Sequence, residues 1–328
     1  MPLTQTAFEQ MHERFKERKQ VRSKNISVLS TNNPENILKL ETEKRIAARK
    51  SLISDDENIT LEGLITGNDA LSINYLPRGQ QVSKSVCRIE VKNEQGRTIQ
   101  FATGFLVSPK LLITNEHVLL LKENCVKTNI QFNYEEDENF IPRADKIFLL
   151  DPESFFYNTH NLDFALVAVK QIASDNQTPL SDFGYIKLIG KPGKGLIGEY
   201  ATLIHHPNKE RKQISIRENR IVDTLDNFIH YKTDSLGGSS GAPVFNDNWE
   251  VFALHHGGIP KRDEKQRILA IDNTVWDPSM GEDKKQYDFN EGIRISKIID
   301  DLETMNKMNK FQGESKEVLE DFLNLSNN

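Results

Sequence analysis

The sequence predicts an all-β body with helical segments at both ends. From residue 86 onward, polar and apolar side chains alternate with a period of two, and Asn93–Gly96 reads as a hairpin turn. Many short strand-like runs follow, separated by turn residues rather than by helices of the α/β type. This pattern favours β-barrels or β-sandwiches, and the polar stretch 175–179 is the candidate boundary between two barrels.

The first 82 residues are predicted to form a helical extension and a connector. Phe8, Met11 and Phe15 have the spacing of one helix face. A second helix is predicted over 33–51, because an Asn-Pro pair suits a helix start. Residues 59–82 contain several Gly and Pro residues and are predicted to be irregular.

The body and tail complete the predicted organisation: residues 83–180 form a first barrel, 181–300 a second and 301–328 a helical tail, with an amphipathic helix over about 297–310. Strands are predicted at 86–92, 98–101, 104–107, 111–114, 129–134, 146–150, 164–169, 185–188, 200–205, 213–217, 220–225, 228–232, 243–245, 250–255, 268–273 and 292–295.

Composition excludes several classes of protein. The 328 residues carry a net charge of −6, which argues against a nucleic-acid-binding protein, and no apolar run approaches a membrane span. The N-terminus has no secretion signal, so Cys87 and Cys125 are predicted to be free buried thiols in a cytoplasmic protein.

Charge is unevenly distributed along the chain. Residues 1–50 contain 11 Lys or Arg and 6 Asp or Glu, a net +5, so the remainder carries −11. A basic helical arm of this kind docks onto the acidic body or onto an acidic partner, or is a solvated helix surface.

Three stretches carry candidate chemistry. His117 follows the apolar strand 111–114, Asp163 precedes the apolar strand 164–169, and Ser240 lies in the glycine-rich stretch Gly237-Gly238-Ser239-Ser240-Gly241. A histidine with an ordinary pKa near 6.5 suits proton transfer, and a serine needs such a base to become nucleophilic. Taken alone, the histidine is a structural residue and the aspartate a strand-start cap.

Together, in the order His, Asp, Ser, these stretches resemble the trypsin-like serine peptidases. The resemblance lies in 114–118, 163–167 and 237–245, and covers about residues 83–300. Thr-Asn-Glu-His-Val around the histidine, Gly-Ala-Pro-Val-Phe-Asn after the serine and Leu-His-His-Gly-Gly at 254–258 are most similar to the bacterial V8-like glutamyl endopeptidases. The resemblance implies two six-stranded antiparallel barrels of the chymotrypsin type, a protein or peptide substrate and no cofactor.

The resemblance also implies a role for each residue. Ser240 attacks the scissile carbonyl, His117 takes its proton, and Asp163 orients the imidazole. The backbone N–H groups of Gly238 and Ser240 form the oxyanion hole.

Ser239 is the rival nucleophile, because the same stretch also matches the G-x-S-x-G motif of α/β-hydrolases. That motif needs a following helix and a downstream histidine, whereas here a strand follows and the candidate histidine lies upstream. The resemblance places an aspartate at this position in enzymes activated by a new N-terminus. Ser239 cannot form that ion pair, so residues 1–80 are expected to gate the enzyme or to dock a regulatory protein.

Specificity is implied by the V8-like resemblance. His255 and Ser235 stand where those enzymes bind an acidic side chain before the cut, and Gly257 and Gly258 keep the pocket wall low. The alternative is that His255 is only a strand residue. The pairs at 205–206 and 255–256 are not expected to bind metal, because strand neighbours point to opposite faces. A different class of function, a peptidase-like binding module with silent catalysis, also stays open.

Overall fold

Two antiparallel sheets of seven strands each form the body of this computed structural model, with helices at both ends. The described residues are 5–53, 60–66, 71–217, 219–233, 235 and 237–327. The all-β prediction is confirmed. The predicted count of six strands differs from the structure, because an unpredicted edge strand at Phe156–Thr159 joins the first sheet and the second also contains seven strands.

The first sheet has the order β5-β4-β1-β2-β3-β7-β6. Its strands are β1 Val86–Lys92, β2 Thr98–Leu106, β3 Leu111–Thr114, β4 Asn129–Phe132, β5 Lys146–Leu149, β6 Phe156–Thr159 and β7 Phe164–Ala168. The second sheet has the order β10-β11-β14-β13-β12-β8-β9. Its strands are β8 Thr202–His205, β9 Gln213–Ser215, β10 Ile221–Thr224, β11 Phe228–Tyr231, β12 Pro243–Phe245, β13 Val251–Pro260 and β14 Tyr287–Arg294.

Isolated bridges connect strand ends that the sheet order places apart. Leu150, after β5, bridges Val169, after β7, and Tyr200, before β8, bridges Arg220, before β10. Each sheet therefore curls until distant strands exchange backbone hydrogen bonds.

The helices of the described residues are α1 Gln5–Glu17, α2 Lys19–Leu29, α3 Pro34–Leu38, α4 Glu43–Lys50, α5 Leu61–Thr66, α6 Tyr75–Ser83, α7 Lys122–Cys125, α8 Ile295–Lys307 and α9 Glu314–Asn327. None of these helices has the length and apolar character needed to cross a membrane.

Two predictions about the arm are wrong. The single helix at 33–51 is divided into α3 and α4, because the Thr42 hydroxyl caps a new helix start by accepting a hydrogen bond from the Arg45 N–H. The connector at 59–82 is not irregular throughout, since α5 and α6 lie within it. Pro77 is tolerated in the first turn of α6, where backbone N–H groups have no helical partner.

Two predicted strands in the second half are also wrong. Residues 185–188 form no strand, and Ile186 only donates one backbone hydrogen bond, to Leu106. Residues 268–273 form isolated bridges within the long connection between β13 and β14. Ile186 and Leu188 are instead buried in the main apolar core without a partner strand, and Ile271 is exposed.

The basic arm docks on the body through arginines. Arg14 of α1 pairs with Glu291, and Arg18, which follows α1, pairs with Asp223. Both carboxylate side chains are fully buried in the second sheet. Arg49 of α4 is itself completely buried and binds two more body carboxylates. The charge pattern left open whether the arm docks on the body, binds a partner or is solvated. These contacts are with the body.

Both cysteines are buried and free of disulfides. Burial raises the pKa of Cys125 to about 12 and that of Cys87 still further, so both stay as unreactive thiols at neutral pH. Their side chains lie in the core of the first sheet.

Candidate active site

Strand pairing brings His117 and Asp163 together. In the antiparallel pair of β3 and β7, Thr114 lies opposite Ala165. The loop that follows Thr114 and the residue that precedes β7 therefore meet at one edge of the sheet. His117 Nδ1 lies 2.8 Å from Asp163 Oδ2, and the His117 backbone N–H donates to Oδ1 at 2.9 Å.

The Asp163 carboxylate is held rigidly in this position. It is 4% exposed and adopts a positive φ of 46°, a conformation that Asp tolerates better than most residues. The side-chain amide of Asn115 donates to its carbonyl oxygen at 2.9 Å. Burial alone would raise the pKa of Asp163, but the facing imidazoles of His117 and His256 hold it well below its usual range.

An ionised carboxylate only accepts hydrogen bonds, so Asp163 selects the His117 tautomer with a hydrogen on Nδ1. The lone pair of the neutral ring is then on Nε2, the nitrogen directed away from Asp163. This arrangement prepares His117 to accept a proton at Nε2.

Ser240 reaches the same edge through its backbone. Its carbonyl accepts a hydrogen bond from the Thr103 N–H of β2 at 2.9 Å, and the next residue, Gly241, donates to the His255 carbonyl of β13. Because β2 pairs with β3, this contact brings Ser240 alongside the strand that leads to His117. Among the described residues, no hydrogen bond joins the Ser240 hydroxyl to the His117 ring.

Gly238 adopts a conformation that side chains rarely take. Its φ is +98°, and a Cβ added there would lie 2.5 Å from the His206 carbonyl oxygen. The Thr103 hydroxyl donates to the Gly238 carbonyl at 2.8 Å and thereby fastens this turn to β2. The sequence analysis did not identify Thr103 as part of the site.

Ser239 is turned away from the site. It is completely buried, and its hydroxyl lies 2.8 Å from His205 Nδ1 in β8. His205 Nε2 in turn lies 3.1 Å from the Ser215 hydroxyl. Burial lowers the pKa of His205 to about 4, so this ring is neutral and structural at physiological pH.

The predicted specificity residues are only partly brought together. Ser235 donates its hydroxyl hydrogen to the Asn290 side chain, and Asn290 lies opposite Gly258 in the β13–β14 pair. His255 lies elsewhere on β13, where its Nδ1 is 2.7 Å from the Tyr231 hydroxyl. Burial lowers the pKa of His255 well below its usual value.

The pocket wall differs from the one expected for two glycines. The Tyr287 ring packs over Gly258, and a Cβ on that glycine would lie 2.5 Å from a ring carbon. Gly257 is buried, whereas Gly258 is half-buried. The wall is therefore covered by Tyr287 from β14, a contact that spans 29 residues of sequence and leaves no local signal.

A cavity of about 490 Å³ adjoins the glycine turn. Its lining residues are Phe101, Asn208, Lys209, Glu210, Gly237, Gly238, Glu282 and Asp283. A larger cavity, of about 660 Å³, lies between α6 and Trp249, away from His117. The smaller cavity reaches the glycine turn through Gly237 and Gly238, and neither Ser240 nor His117 is among its lining residues. Within the described part of the chain, no group of three or more His, Cys, Asp or Glu residues could hold a metal ion.

His256 is another residue of this site that was not predicted from the sequence. Its Nδ1 lies 2.7 Å from Asp163 Oδ2, so two imidazoles donate to the same carboxylate oxygen. The sequence contained one signal for it. Neighbouring strand residues point in different directions, so once His255 was assigned to the pocket, His256 was expected to face elsewhere. The partner was not visible, since it lies 93 residues away.

Comparisons with known proteins agree with this geometry at the level of the domain. Residues 102–254 match the family model described as a trypsin-like peptidase domain. It is 40% identical over 258 residues to the uncharacterized protein y4fB of Sinorhizobium fredii, covering 74% of this chain and 39% of that protein. It is 26% identical over 201 residues to the mouse serine protease FAM111A, covering 48% of this chain and 32% of that one.

The chain thus spans less than half the length of these relatives. Among solved structures, the active form of the Rv3671c protease from M. tuberculosis aligns with a TM-score of 0.45 at 15% identity, covering 69% of this chain and 83% of that one.

Proposed function

We propose that this chain is a serine endopeptidase with Ser240 as its nucleophile. The observation that carries the proposal is the double contact between Asp163 and His117, which fixes the imidazole tautomer that a general base requires. The match of residues 102–254 to the trypsin-like peptidase domain supports the same reaction class.

In the proposed reaction, His117 Nε2 takes the proton of the Ser240 hydroxyl as its oxygen attacks the peptide carbonyl. Asp163 stabilises the imidazolium that results. The developing oxyanion accepts hydrogen bonds from the N–H groups of Gly238 and Ser240. The imidazolium then protonates the leaving amine, and water hydrolyses the acyl-enzyme with His117 again as the base.

A fluorophosphonate probe, which reacts with activated serines, tests the nucleophile. Wild-type protein and the matched control Ser239→Ala should be labelled, whereas Ser240→Ala should not. Labelling that disappears only in Ser239→Ala would overturn the assignment.

The second candidate is a peptidase-like binding module with silent catalysis. The specific observation in its favour is that the Ser240 hydroxyl makes no hydrogen bond to His117 among the described residues. An intact wild-type protein that takes up no probe, although peptides still bind, would favour this candidate over the peptidase.

The proposal includes a preference for Glu or Asp before the cut. If the Tyr231 hydroxyl donates to His255 Nδ1, the ring hydrogen is on Nε2 and can be donated to a substrate carboxylate. Burial keeps His255 neutral, so the ring acts as a hydrogen-bond donor and not as a cation. Ser235 cannot also donate to the substrate carboxylate, because its hydroxyl hydrogen is already donated to Asn290, so its proposed contribution is to position the Asn290 side chain.

Peptides that differ only in the residue before the cut test this preference. We expect Glu to be cleaved faster than the isosteric Gln by about tenfold, a difference typical of one charge-assisted hydrogen bond. Tyr231→Phe should reduce that ratio without abolishing cleavage. Faster cleavage after Arg or Phe than after Glu would contradict the acidic pocket.

A further inference from the structure

A line of polar side chains connects the N-terminal helix to the candidate active site. Arg14 of α1 donates two hydrogen bonds to Glu291 of β14. Glu291 Oε1 lies 3.6 Å from His256 Nε2, and His256 Nδ1 lies 2.7 Å from Asp163. The line therefore ends on the carboxylate that orients His117.

A β-bulge directs His256 into this line. In the β13–β14 pair, His255 lies opposite Gly292 and Gly257 opposite Glu291, so His256 is an extra residue without an opposing partner. Bulges of this kind change the direction of a side chain and often lie near active sites. Here the bulge allows His256 to lie between Asp163 and Glu291.

Arg14 supplies part of the hydrogen bonding that stabilises the buried Glu291 carboxylate. The Glu291 side chain is completely buried, and burial alone would raise the pKa of its carboxyl. Hydrogen bonds from His230 and Arg14 instead hold that pKa below its usual value. Without Arg14, the carboxylate would lose two of these bonds, and His256 Nε2, 3.6 Å away, could replace them only if its ring hydrogen moved from Nδ1 to Nε2.

The surroundings of Glu291 restrict how it can respond. His230 Nε2 already bonds it at 3.0 Å, and His230 Nδ1 lies 4.0 Å from Asp223. The Phe228 ring lies under the Arg14 guanidinium, 3.9 Å from its carbon, and also packs against the His256 ring. A neutral imidazole has one N–H, so a hydrogen bond from His256 to Glu291 would be made at the expense of its bond to Asp163.

We propose that Arg14 is a positioning residue for the reaction: by holding Glu291, it leaves His256 bound to Asp163 and so maintains the orientation of His117. The inference rests on the proposed serine peptidase function. The docked α1 helix thereby supports the Asp163–His117 pair through Glu291 and His256.

Arg18 offers a matched control within the same segment. It also makes a bidentate pair with a fully buried carboxylate of the second sheet, Asp223. That carboxylate has no contact with His256 among the described residues. Arg14→Met and Arg18→Met should therefore cost similar amounts of stability, and only the first should disturb the active site.

The experiment compares kcat and KM of full-length wild-type protein, Arg14→Met and Arg18→Met on one peptide, at a temperature where all are folded. We expect Arg14→Met to lower kcat about tenfold or more with little change in KM, because small displacements of a catalytic group are costly. Arg14→Lys should recover part of the loss. Arg18→Met should stay within about threefold of wild type, since it breaks no contact in this line.

A double-mutant cycle tests the route. If Arg14 acts through His256, then adding Arg14→Met to His256→Gln should not lower kcat further. Proton NMR of the His117 Nδ1–H resonance, measured without substrate, should show a shift in Arg14→Met and none in Arg18→Met.

The outcomes separate the inference from the proposed function. A wild-type protein that reacts with neither peptide nor probe would overturn the peptidase, while the NMR comparison would still test the line of contacts. An active wild type in which Arg14→Met and Arg18→Met have equal kcat values and unshifted resonances would overturn the inference alone.

Discussion

Two adjacent glycines, Gly237 and Gly238, differ in whether the backbone at their position could accommodate a side chain. Gly238 has a φ of +98° and a carbonyl oxygen close to where a Cβ would lie, whereas a Cβ on Gly237 would meet no atom of the described residues within 4 Å, its chain neighbours aside. The requirement for glycine is therefore confined to the residue that is proposed to donate to the oxyanion.

We expect Gly238→Ala to reduce probe labelling roughly a hundredfold, as loss of an oxyanion donor does, and to destabilise the fold by about 1–3 kcal/mol. Gly237→Ala should leave both the labelling rate and the urea midpoint nearly unchanged. Equal effects of the two substitutions on labelling would contradict the role given to Gly238.

At this scale, the sequence predicts residues that act through local patterns and misses those that act through distant contacts. His117, Asp163 and Ser240 each follow or precede a recognisable strand, so their positions were accessible from sequence. His256 and Glu291 were not, because a one-residue bulge and a strand pairing between distant segments bring them to Asp163. The Tyr287 ring over Gly258 was missed for the same reason.

At the scale of elements, buried ion pairs attach the arm to the body, alongside apolar contacts of residues such as Leu29 and Ile37. The Arg49 side chain of α4 is fully buried and binds Glu199 at 2.7 Å and Glu250 at 3.1 Å. Removing one partner of a buried pair leaves a desolvated charge without compensation. Exposed pairs contribute much less, and Lys122 with Glu153 provides the comparison.

Arg49→Met should lower the free energy of unfolding by about 3–5 kcal/mol, because it leaves two carboxylates unpaired. Lys122→Met, at a solvent-exposed pair, should lower it by less than about 1 kcal/mol. Urea unfolding followed by circular dichroism measures both values. Comparable losses for the two variants would show that the arm is not anchored by its buried charge.

Helices and strands were predicted best where a single hydrophobic periodicity runs through the whole segment. The alternating residues of β1 and the apolar run of β7 were located correctly, since each lies within one sheet. The division of α3 from α4 depends on a single Thr42 cap within a helical pattern, and β6 is an edge strand defined only by its pairing with β7. Such features depend on one contact and not on a repeat.

At the scale of the whole molecule, buried neutral histidines link stability to pH. Burial lowers the pKa of His205 to about 4, and lowers those of His206 and His255 well below their usual value. In the unfolded chain these rings bind protons below about pH 6.5. The folded state binds fewer protons, so stability is complete above that pH and falls as the pH drops toward 4.

Between pH 6 and 4.5, each such histidine should lower the free energy of unfolding by up to about 1.4 kcal/mol per pH unit. Carboxylates with lowered pKa values, such as Glu291, lose their contribution only at lower pH. His205→Gln should therefore reduce the slope of stability against pH in this window by about one such increment. An unchanged slope would mean that His205 takes up its proton while folded.

The order of strands in the second sheet has a consequence for synthesis. β14 lies between β11 and β13, yet of the described strands it is the last in chain order. Apart from the bridge between Tyr200 and Arg220, the described strand pairs join the two halves of this sheet only through β14. A growing chain therefore holds Ser240 in an unfinished sheet until residue 294 has left the ribosome.

If the chain is a peptidase as proposed, its inactivity during translation would follow from the late position of β14 alone and would need no inhibitor or removable propeptide. Ribosome-bound chains stalled before and after β14 emerges should differ in fluorophosphonate labelling, with the shorter chain unlabelled. Equal labelling of both would show that the proposed nucleophile, Ser240, becomes reactive before the sheet is complete.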